Sequence, residues 1–394
     1  STPIKSSAAS DVYKRQIGGY MKDNFALVFD IGSLKLRAIL AKKGLNNTFN
    51  IRGYKEYEYD GFYQGDFIMP EKLSLLFGQV IQDLDATASR DLNKVYIGVP
   101  AEFSSVTRTV VSINFGSRRK VKQADIDSLF YMAGEKAKNS SVEVVSVSPI
   151  SYNLDDGRIT FDPLGEIASN ITANLSIVYA DKKFIDMFNN IIAGLGFESV
   201  EYLSEPLAEA LYIIPKERRE DLNLLIDVGD LTTSIAFVKG NGLYALTSFS
   251  RGGGFITNDL AEAFDLSMNE ADKLKRQIVL SLKGKPNDNY EISADVGKVI
   301  KVPLASANEV VSYRIDELSE VIAKCVQMNT SEYLTYLPVC LTGAGITKIK
   351  GGRDYLGKGL GRNVSYGKPP LPGKDKPELA SIFSLLNSAL SERC

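Results

Sequence analysis

Two stretches of the sequence place an aspartate and a glycine at matching points of an apolar run. Segment 25–41 aligns without gaps on segment 222–238 at a constant offset of 197 residues, so that Asp30 falls on Asp227 and Gly32 on Gly229. Backbone N–H groups in such a turn can cradle a phosphate while the carboxylate reaches a metal-bound water. The pair therefore predicts a clamp that holds one polyphosphate, with a chance match between two similar hairpins as the alternative. The sequence has neither a GxxxxGK[ST] loop nor a GxGxxG turn opening a βαβ unit, which leaves this clamp as the leading phosphate site.

Three further motifs carry candidate binding residues. Gly252 to Gly254 precede a helical pattern, and three glycines at a helix start permit close approach to an anion. The apolar run at 339–341 leads into a Thr-Gly-Ala-Gly turn at 342–345, where a ligand can lie against bare backbone. Ser267 and Glu270 have capping-box spacing and open a helix that carries Asp272 and Lys275. Taken singly, these motifs also fit a flexible turn or a surface ion pair.

Composition excludes several kinds of chemistry. The 394 residues include no histidine and no tryptophan, so no imidazole base, His-paired nucleophile or His-bearing zinc site is available. A divalent metal, if present, should be a hard one held by oxygen, such as magnesium. The net charge of −2, with both signs interspersed, argues against a chain devoted to nucleic acid. Three cysteines cannot form a disulfide framework, which favours a reducing cytoplasm.

The elements that would position these residues follow from local patterns. Each Asp-x-Gly copy reads as a β-hairpin, with a buried strand before the turn and an alternating strand after it. Near the C-terminus, the apolar stripe through 379–390 predicts a helix that packs on the first domain. That helix has a single basic residue, Arg393, unlike helices that lie on membranes. Residues 1–20 are small and polar and precede the first methionine, so we treat them as a leader outside the fold, disordered or non-native.

Taken together, the motifs resemble the actin-like ATPase superfamily. Segment 30–35 resembles its phosphate-one loop, 227–233 its phosphate-two loop, 341–345 its adenosine loop, and the helix opening at Glu205 its connecting helix. Segments 95–108 and 251–261 (RGGGFITNDLA) are similar to the FtsA and PilM branch, as is a β-rich insert reaching to about residue 181.

This resemblance implies an α/β actin-like ATPase fold, with two duplicated lobes around a nucleotide cleft and a small inserted β-rich subdomain in the first lobe. The implied boundaries are 21–97, 183–221 and 367–394 for subdomain IA, 98–182 for the insert IC, 222–247 and 318–366 for IIA, and 248–317 for IIB.

The resemblance also implies ATP and Mg²⁺ as cofactors. Asp30 and Asp227 would hold the cation through water, and Glu205 would orient the attacking water. The implied cofactor-binding residues are Gly32, Ser33, Lys35, Gly229, Thr232, Thr233, Gly252, Gly253, Asp272, Lys275, Gly343, Ala344 and Gly345. Backbone amides of Gly32, Ser33, Gly229, Thr232 and Gly253 would contact phosphates.

The phosphate-two loop departs from the pattern Asp-Ile-Gly-Gly-Gly-Thr-Thr-Asp usual in the family. Asp230 and Leu231 stand where two glycines are usual, and Ser234 stands for the last aspartate. A carboxylate at Asp230 would repel a triphosphate, and a side chain at Leu231 restricts φ. Both changes weaken the expectation of hydrolysis more than that of binding, so a slow ATPase at most is expected.

The function implied is an FtsA-like adaptor of bacterial cell division. It would bind the C-terminal peptide of FtsZ through the subdomain near 248–317, self-associate into filaments and contact other division proteins. We expect a cytoplasmic protein, with recruitment to the inner face of the membrane at the division site, and find no support for direct membrane contact. One alternative is a PilM-like scaffold for type IV pili. A sugar-kinase-like enzyme is disfavoured because no second substrate site can be placed.

Overall fold

A computed structural model of the chain describes residues 25–44, 48–84, 92, 94–137, 141–285, 287–294, 297, 299–331 and 336–391. The predicted leader and the terminal Arg393 and Cys394 lie outside these residues.

The first lobe is built on a five-stranded sheet. Its elements up to the insert are β1 (Phe25–Ile31), β2 (Lys35–Lys43), β3 (Phe49–Glu58), β4 (Phe62–Tyr63), β5 (Asp66–Phe67), α1 (Pro70–Asp83) and β6 (Lys94–Val99). The insert comprises β7 (Ser104–Lys120), α2 (Gln123–Lys136), β8 (Val142–Leu154), β9 (Ile159–Thr160) and β10 (Ile167–Asp181). The lobe then continues with α3 (Lys182–Gly194), β11 (Ser199–Ser204) and α4 (Glu205–Ile213).

The second lobe repeats the plan. Its elements are β12 (Asn223–Val228), β13 (Thr233–Lys239), β14 (Gly242–Phe249), α5 (Gly253–Phe264), α6 (Met268–Gln277), β15 (Asn289–Ser293), β16 (Val299–Pro303), α7 (Leu304–Asn329), β17 (Val339–Thr342), α8 (Gly352–Gly359) and β18 (Val364–Tyr366). The last helix, α9 (Ala380–Leu390), returns to the first lobe. Short 3₁₀ segments span Ala101–Phe103, Lys216–Glu220 and Pro377–Leu379.

The two main sheets have the same strand order and directions. In the first, β3, β2 and β1 are antiparallel neighbours, and β6 and β11 continue parallel to β1. In the second, β14, β13 and β12 are antiparallel neighbours, and β17 and β18 continue parallel to β12. The hairpins predicted from the internal repeat are therefore confirmed, and they form the same part of each sheet.

Helices cover both faces of the first sheet, which explains the unbroken apolar run of β1. Leu27 and Phe29 pack with α1 and α3, whereas Ala26 and Val28 pack with α9. A strand buried on both faces reads as a continuous apolar segment. The prediction that the C-terminal apolar stripe packs on the first domain is confirmed.

Helix α4 lies between the two lobes. Leu207 and Ala210 join a cluster with Leu225 and Ala236 of the second sheet, while Ala208 packs with the first sheet and α9. The opening residues of α4 are thereby held at the junction of both sheets.

The insert is a four-stranded antiparallel sheet in the order β7, β10, β8, β9, with α2 on one face. This agrees with the predicted β-rich insert. Within the described residues, no helix is long and apolar enough to cross a membrane.

Candidate functional site

The two Asp-x-Gly turns meet face to face. Each aspartate is the penultimate residue of the central strand of its sheet, so both turns lie at the carboxyl ends of β1 and β12. The backbone N–H of Leu231 donates a hydrogen bond of 3.0 Å to Ser33 Oγ. The loops predicted to form a clamp are therefore in direct contact across the lobes.

A narrow cleft opens beside this contact. The water-accessible volume of this cleft is about 80 Å³. Ten of the predicted site residues line the cleft, namely Asp30, Gly32, Ser33, Lys35, Glu205, Asp227, Gly229, Thr232, Gly343 and Ala344. The structure thus brings residues of both hairpins, the connecting helix and the predicted adenosine loop to one place.

Buried carboxylates dominate the cleft. Burial, and then the neighbouring carboxylate of Asp30, raise the pKa of Asp227 to about 6. Burial and the aspartates also raise the pKa values of Glu205 and Glu209 well above their usual range. The Glu209 side chain is fully enclosed, and its Oε1 has no hydrogen-bond partner. These acids lie too close together to ionise at no cost, so the site favours a bound cation or proton.

Arg37 is a cleft residue that sequence reasoning missed. Its Nη1 donates to Asp30 Oδ2 at 3.2 Å and its Nε donates to Glu56 Oε2 at 2.9 Å. Lys35 shares Glu56, at 3.0 Å, and pairs also with Glu58 at 3.6 Å. The available signal was the period of two in β2, which turns Arg37 to the same face as Lys35.

Glu209 was also missed. It follows Glu205 by four residues on α4, so both side chains lie on one face of the helix. The signal was a second carboxylate within an otherwise apolar helical turn, since such a residue is rarely buried without a reason.

Several backbone amides predicted to bind phosphate already donate hydrogen bonds within the protein. The N–H of Gly32 donates to Lys35 O at 2.8 Å, that of Gly229 to Thr232 O at 2.9 Å, and that of Gly253 to Gly229 O at 2.8 Å. These bonds close the two turns and attach the start of α5 to the second one. Of the five amides predicted, those of Ser33 and Thr232 make no such bond in the described structure.

The glycine triplet serves backbone packing. A Cβ at Gly252 would lie 2.5 Å from Asp230 O, and one at Gly253 would overlap the Cα of Gly345. The Gly343 backbone has φ +79°, and a side chain there would collide with Asp227 Oδ1. Glycine at these positions lets three loops stack behind the cleft.

The remaining predicted residues lie outside the cleft lining. Lys275 Nζ is buried and donates to Gly253 O at 2.8 Å and Thr257 Oγ1 at 2.9 Å, so it fastens the start of α5. Asp272 is half-buried and pairs with Arg276 at 2.5 Å. Thr233 Oγ1 donates to Arg251 O at 2.5 Å. With Gly252, Gly253 and Gly345, these residues surround the site without facing the cleft.

The donor set suits a hard divalent cation. Asp30 and Asp227 offer carboxylate oxygens from both lobes, which is the chemistry magnesium prefers. In the described part of the chain, no three acidic or cysteine side chains are placed to hold a metal together. The residues therefore fit a cation held in part by water or ligand oxygens.

Solved structures define the class of this fold. PilM in the PilM–PilN type IV pilus biogenesis complex aligns with a TM-score of 0.61 at 15% identity, covering 93% of this chain and 98% of PilM. MreB 5 of Spiroplasma citri, bound to AMPPNP, aligns with a TM-score of 0.55 at 11% identity, covering 92% of this chain and 95% of MreB 5. The chain has the actin-like ATPase fold.

Sequence comparisons narrow the class to one family. The sequence model described as cell division protein FtsA matches residues 224–384, and the model of the SHS2 domain inserted in FtsA matches residues 103–179. Cell division protein FtsA of Staphylococcus epidermidis is 22% identical over 388 residues, covering 94% of this chain and 80% of that protein. The chain belongs to the FtsA-like division proteins of the actin-like ATPase superfamily.

Proposed function

We propose that the cleft binds ATP together with Mg²⁺ and that the chain acts as a nucleotide-dependent switch in cell division. The observation that carries this proposal is the direct contact of the two duplicated turns between Ser33 and Leu231. A ligand bound by both turns would affect the position of both lobes, because each turn follows the central strand of its own sheet.

The chain's own residues have distinct roles in this proposal. The amides of Ser33 and Thr232 donate to phosphate oxygens, and Arg37 supplies the positive charge nearest to Asp30. Asp30 and Asp227 would hold the cation, which would supply positive charge against the phosphates. Glu205, at the start of α4, orients a water molecule. With its pKa raised by burial, it is a slow base at best when the cation is absent.

The balance of charge predicts that binding depends on a divalent cation. Among the described residues, seven carboxylates line the cleft alongside the two cationic side chains of Lys35 and Arg37, the carboxylates being those of Asp30, Glu102, Glu205, Glu209, Asp227, Asp230 and Glu378. A bare triphosphate would be repelled by this set. Titration calorimetry with ATP should therefore show binding in Mg²⁺ and none in EDTA, and no binding at millimolar ATP with Mg²⁺ would reject the cleft as a nucleotide site.

We assign the chain an adaptor role that connects the FtsZ ring to other division proteins. Support comes from the family membership, and the proposed contact for the FtsZ C-terminal peptide is the region near 248–317. Self-association into filaments fits the fold, which is shared with the MamK double helical filament at a TM-score of 0.51 and 14% identity.

A pull-down of purified chain with the C-terminal peptide of FtsZ from the same organism tests this role. Retention by the peptide, and its loss when a scrambled peptide is used, is the expected result. Retention instead by a short peptide of a PilN-type protein would favour the pilus scaffold. Light scattering with and without Mg²⁺-ATP measures self-association separately.

A further inference from the structure

A wide groove lies away from the cleft, where the insert meets the second lobe. It runs between the face of the insert sheet, strand β14 and the C-terminal end of α7. Its water-accessible volume is about 720 Å³. The groove shares no residue with the cleft, and none of its lining residues falls within 248–317, the region proposed to contact FtsZ.

Two strands that flank the groove are sheet edges. Strand β14 has β13 as its neighbour in the second sheet, and β7 has β10 as its neighbour in the insert; in the described structure neither has a second partner strand. Tyr244, Ala245 and Leu246 all line the groove. Tyr244 is the extra residue of a β-bulge, since Phe237 pairs with Ala245 and Val238 with Leu243, so the alternation of side chains along β14 is broken at the groove. Unpaired strand edges are sites for the addition of an extended peptide.

The groove has a mostly polar lining that includes an aliphatic strip. Val106, Ile150 and Leu246 contribute the aliphatic side chains. Val110 is 55% exposed and Met328 is 84% exposed at the rim. Apolar groups set among polar ones give an extended peptide both packing and hydrogen-bonding contacts.

The charges in the groove have one sign. Arg108 and Lys239 line it, and no acidic side chain does so among the described residues. The Arg108 guanidinium lies over the Tyr244 ring, 3.8 Å from the ring centre. A guanidinium stacked in this way is held in place while its N–H edge stays available to a carboxylate. Within the described structure, neither cation makes an ion pair.

We infer that this groove binds an extended acidic peptide segment of a partner protein, with its backbone paired to a strand edge. Apolar side chains at alternate positions pack on the aliphatic strip, and carboxylates between them pair with Arg108 and Lys239. An occupant would touch both the insert and the second lobe, so it would also resist movement between them.

The test uses the full chain and a fluorescent peptide in which glutamate and valine alternate. The charge-reversed pair Arg108→Glu and Lys239→Glu should weaken binding by roughly tenfold or more, because two attractive contacts become repulsive. The pair Lys358→Glu and Lys374→Glu changes the net charge equally at exposed positions outside the groove, so it should leave binding unchanged. A peptide with lysine in place of glutamate should not bind.

Backbone pairing is tested with the same peptide methylated at alternate amide nitrogens. Methylation in one of the two alternating registers should abolish binding, since only one set of amides faces the strand edge. Equal binding by both methylated peptides overturns strand addition. Absence of binding at millimolar peptide, equal loss in the control variant, or Arg108-dependent capture of phosphatidylserine vesicles with no peptide binding would each overturn the assignment. Thermal melting confirms that all variants are folded.

Discussion

Ser33 and Leu231 join the two lobes through one hydrogen bond, with the N–H of Leu231 3.0 Å from Ser33 Oγ. The two residues belong to equivalent turns of the internal repeat, yet the contact is asymmetric, since Ser33 is the acceptor and its counterpart at the repeat offset is Asp230. Because Asp230 stands where the first turn has Ser33, only the first turn supplies a hydroxyl to this contact.

Replacement of Ser33 by alanine should loosen this contact. We expect the free energy of unfolding to fall by about 1 kcal/mol, the usual contribution of one such bond. Amide hydrogen exchange at Leu231 should become faster, whereas Ser105→Ala at an exposed position of β7 should change neither quantity. Unaltered exchange at Leu231 in Ser33→Ala would show that the turns are held together by their surroundings.

Acid titration should reveal the buried Asp227. Its pKa is raised on folding from 3.8 to about 6 by burial and by Asp30, so the folded chain binds this proton more tightly than the unfolded chain. The stability of the ligand-free protein should therefore be greater near pH 4 and fall as the pH rises through about 6. Urea unfolding between these pH values measures the slope.

The variant Asp227→Asn should reduce this dependence, to which Glu205 and Glu209 also contribute, and raise stability at pH 7 by on the order of 2 kcal/mol. Glu262→Gln, at an exposed position of α5, is the matched control and should leave the slope unchanged. The same asparagine variant should lose Mg²⁺-dependent nucleotide binding. If it were less stable than the parent at pH 7, the assignment of Asp227 as a strained acid would be wrong.

Much of the fold was predictable because its signals are local. The two hairpins follow from apolar runs that end at Asp30 and Asp227, and the capping box of Ser267 and Glu270 forms as the spacing predicts. The sequence could not show which of these elements would pack against one another. For Lys275, that packing decides its role: its ammonium bonds to Gly253 O, a partner 22 residues away.

The charged lining of the cleft was harder to predict for a related reason. Lys35 and Arg37 point to the same side of β2. The sequence does not show which of the two charges lies nearest the cleft aspartates and which is paired with other carboxylates. Glu56 and Glu58 come from β3, whose register with β2 places them beside Lys35 and Arg37. Strand pairing thus leaves Arg37 nearest Asp30.

Arg37 should matter more than Lys35 for nucleotide binding. Arg37→Gln removes the charge beside Asp30 and should weaken Mg²⁺-ATP affinity by roughly tenfold to a hundredfold, as expected for a charge-assisted hydrogen bond. Lys35→Gln should cost less than about threefold, because the ammonium is already neutralised by Glu56 and Glu58. Calorimetric titration gives both values, with Arg52→Gln as a control at an exposed site on β3. A larger loss of Mg²⁺-ATP affinity in Lys35→Gln than in Arg37→Gln would show that Lys35 is the more important of the two for nucleotide binding.

The two unusual residues of the second turn should behave differently from each other. The negative charge of Asp230 raises the pKa of Asp227, so it adds to the repulsion of any anion in the cleft. Asp230→Asn should therefore tighten Mg²⁺-ATP binding by about threefold to fivefold. Leu231, however, is unstrained: within the described chain, the non-glycine residues with positive φ are Gln64 and Asp265.

Glycine at position 231 should consequently bring no gain in affinity. It should lower the melting temperature, because glycine adds conformational freedom to the unfolded chain at a cost of about 0.5–1 kcal/mol. Titration calorimetry and thermal melting of the two single variants separate these effects, with Asp354→Asn as an exposed control for the change in charge. Tighter binding by Leu231→Gly alone would mean that the leucine side chain, and not the charge of Asp230, is what opposes the ligand.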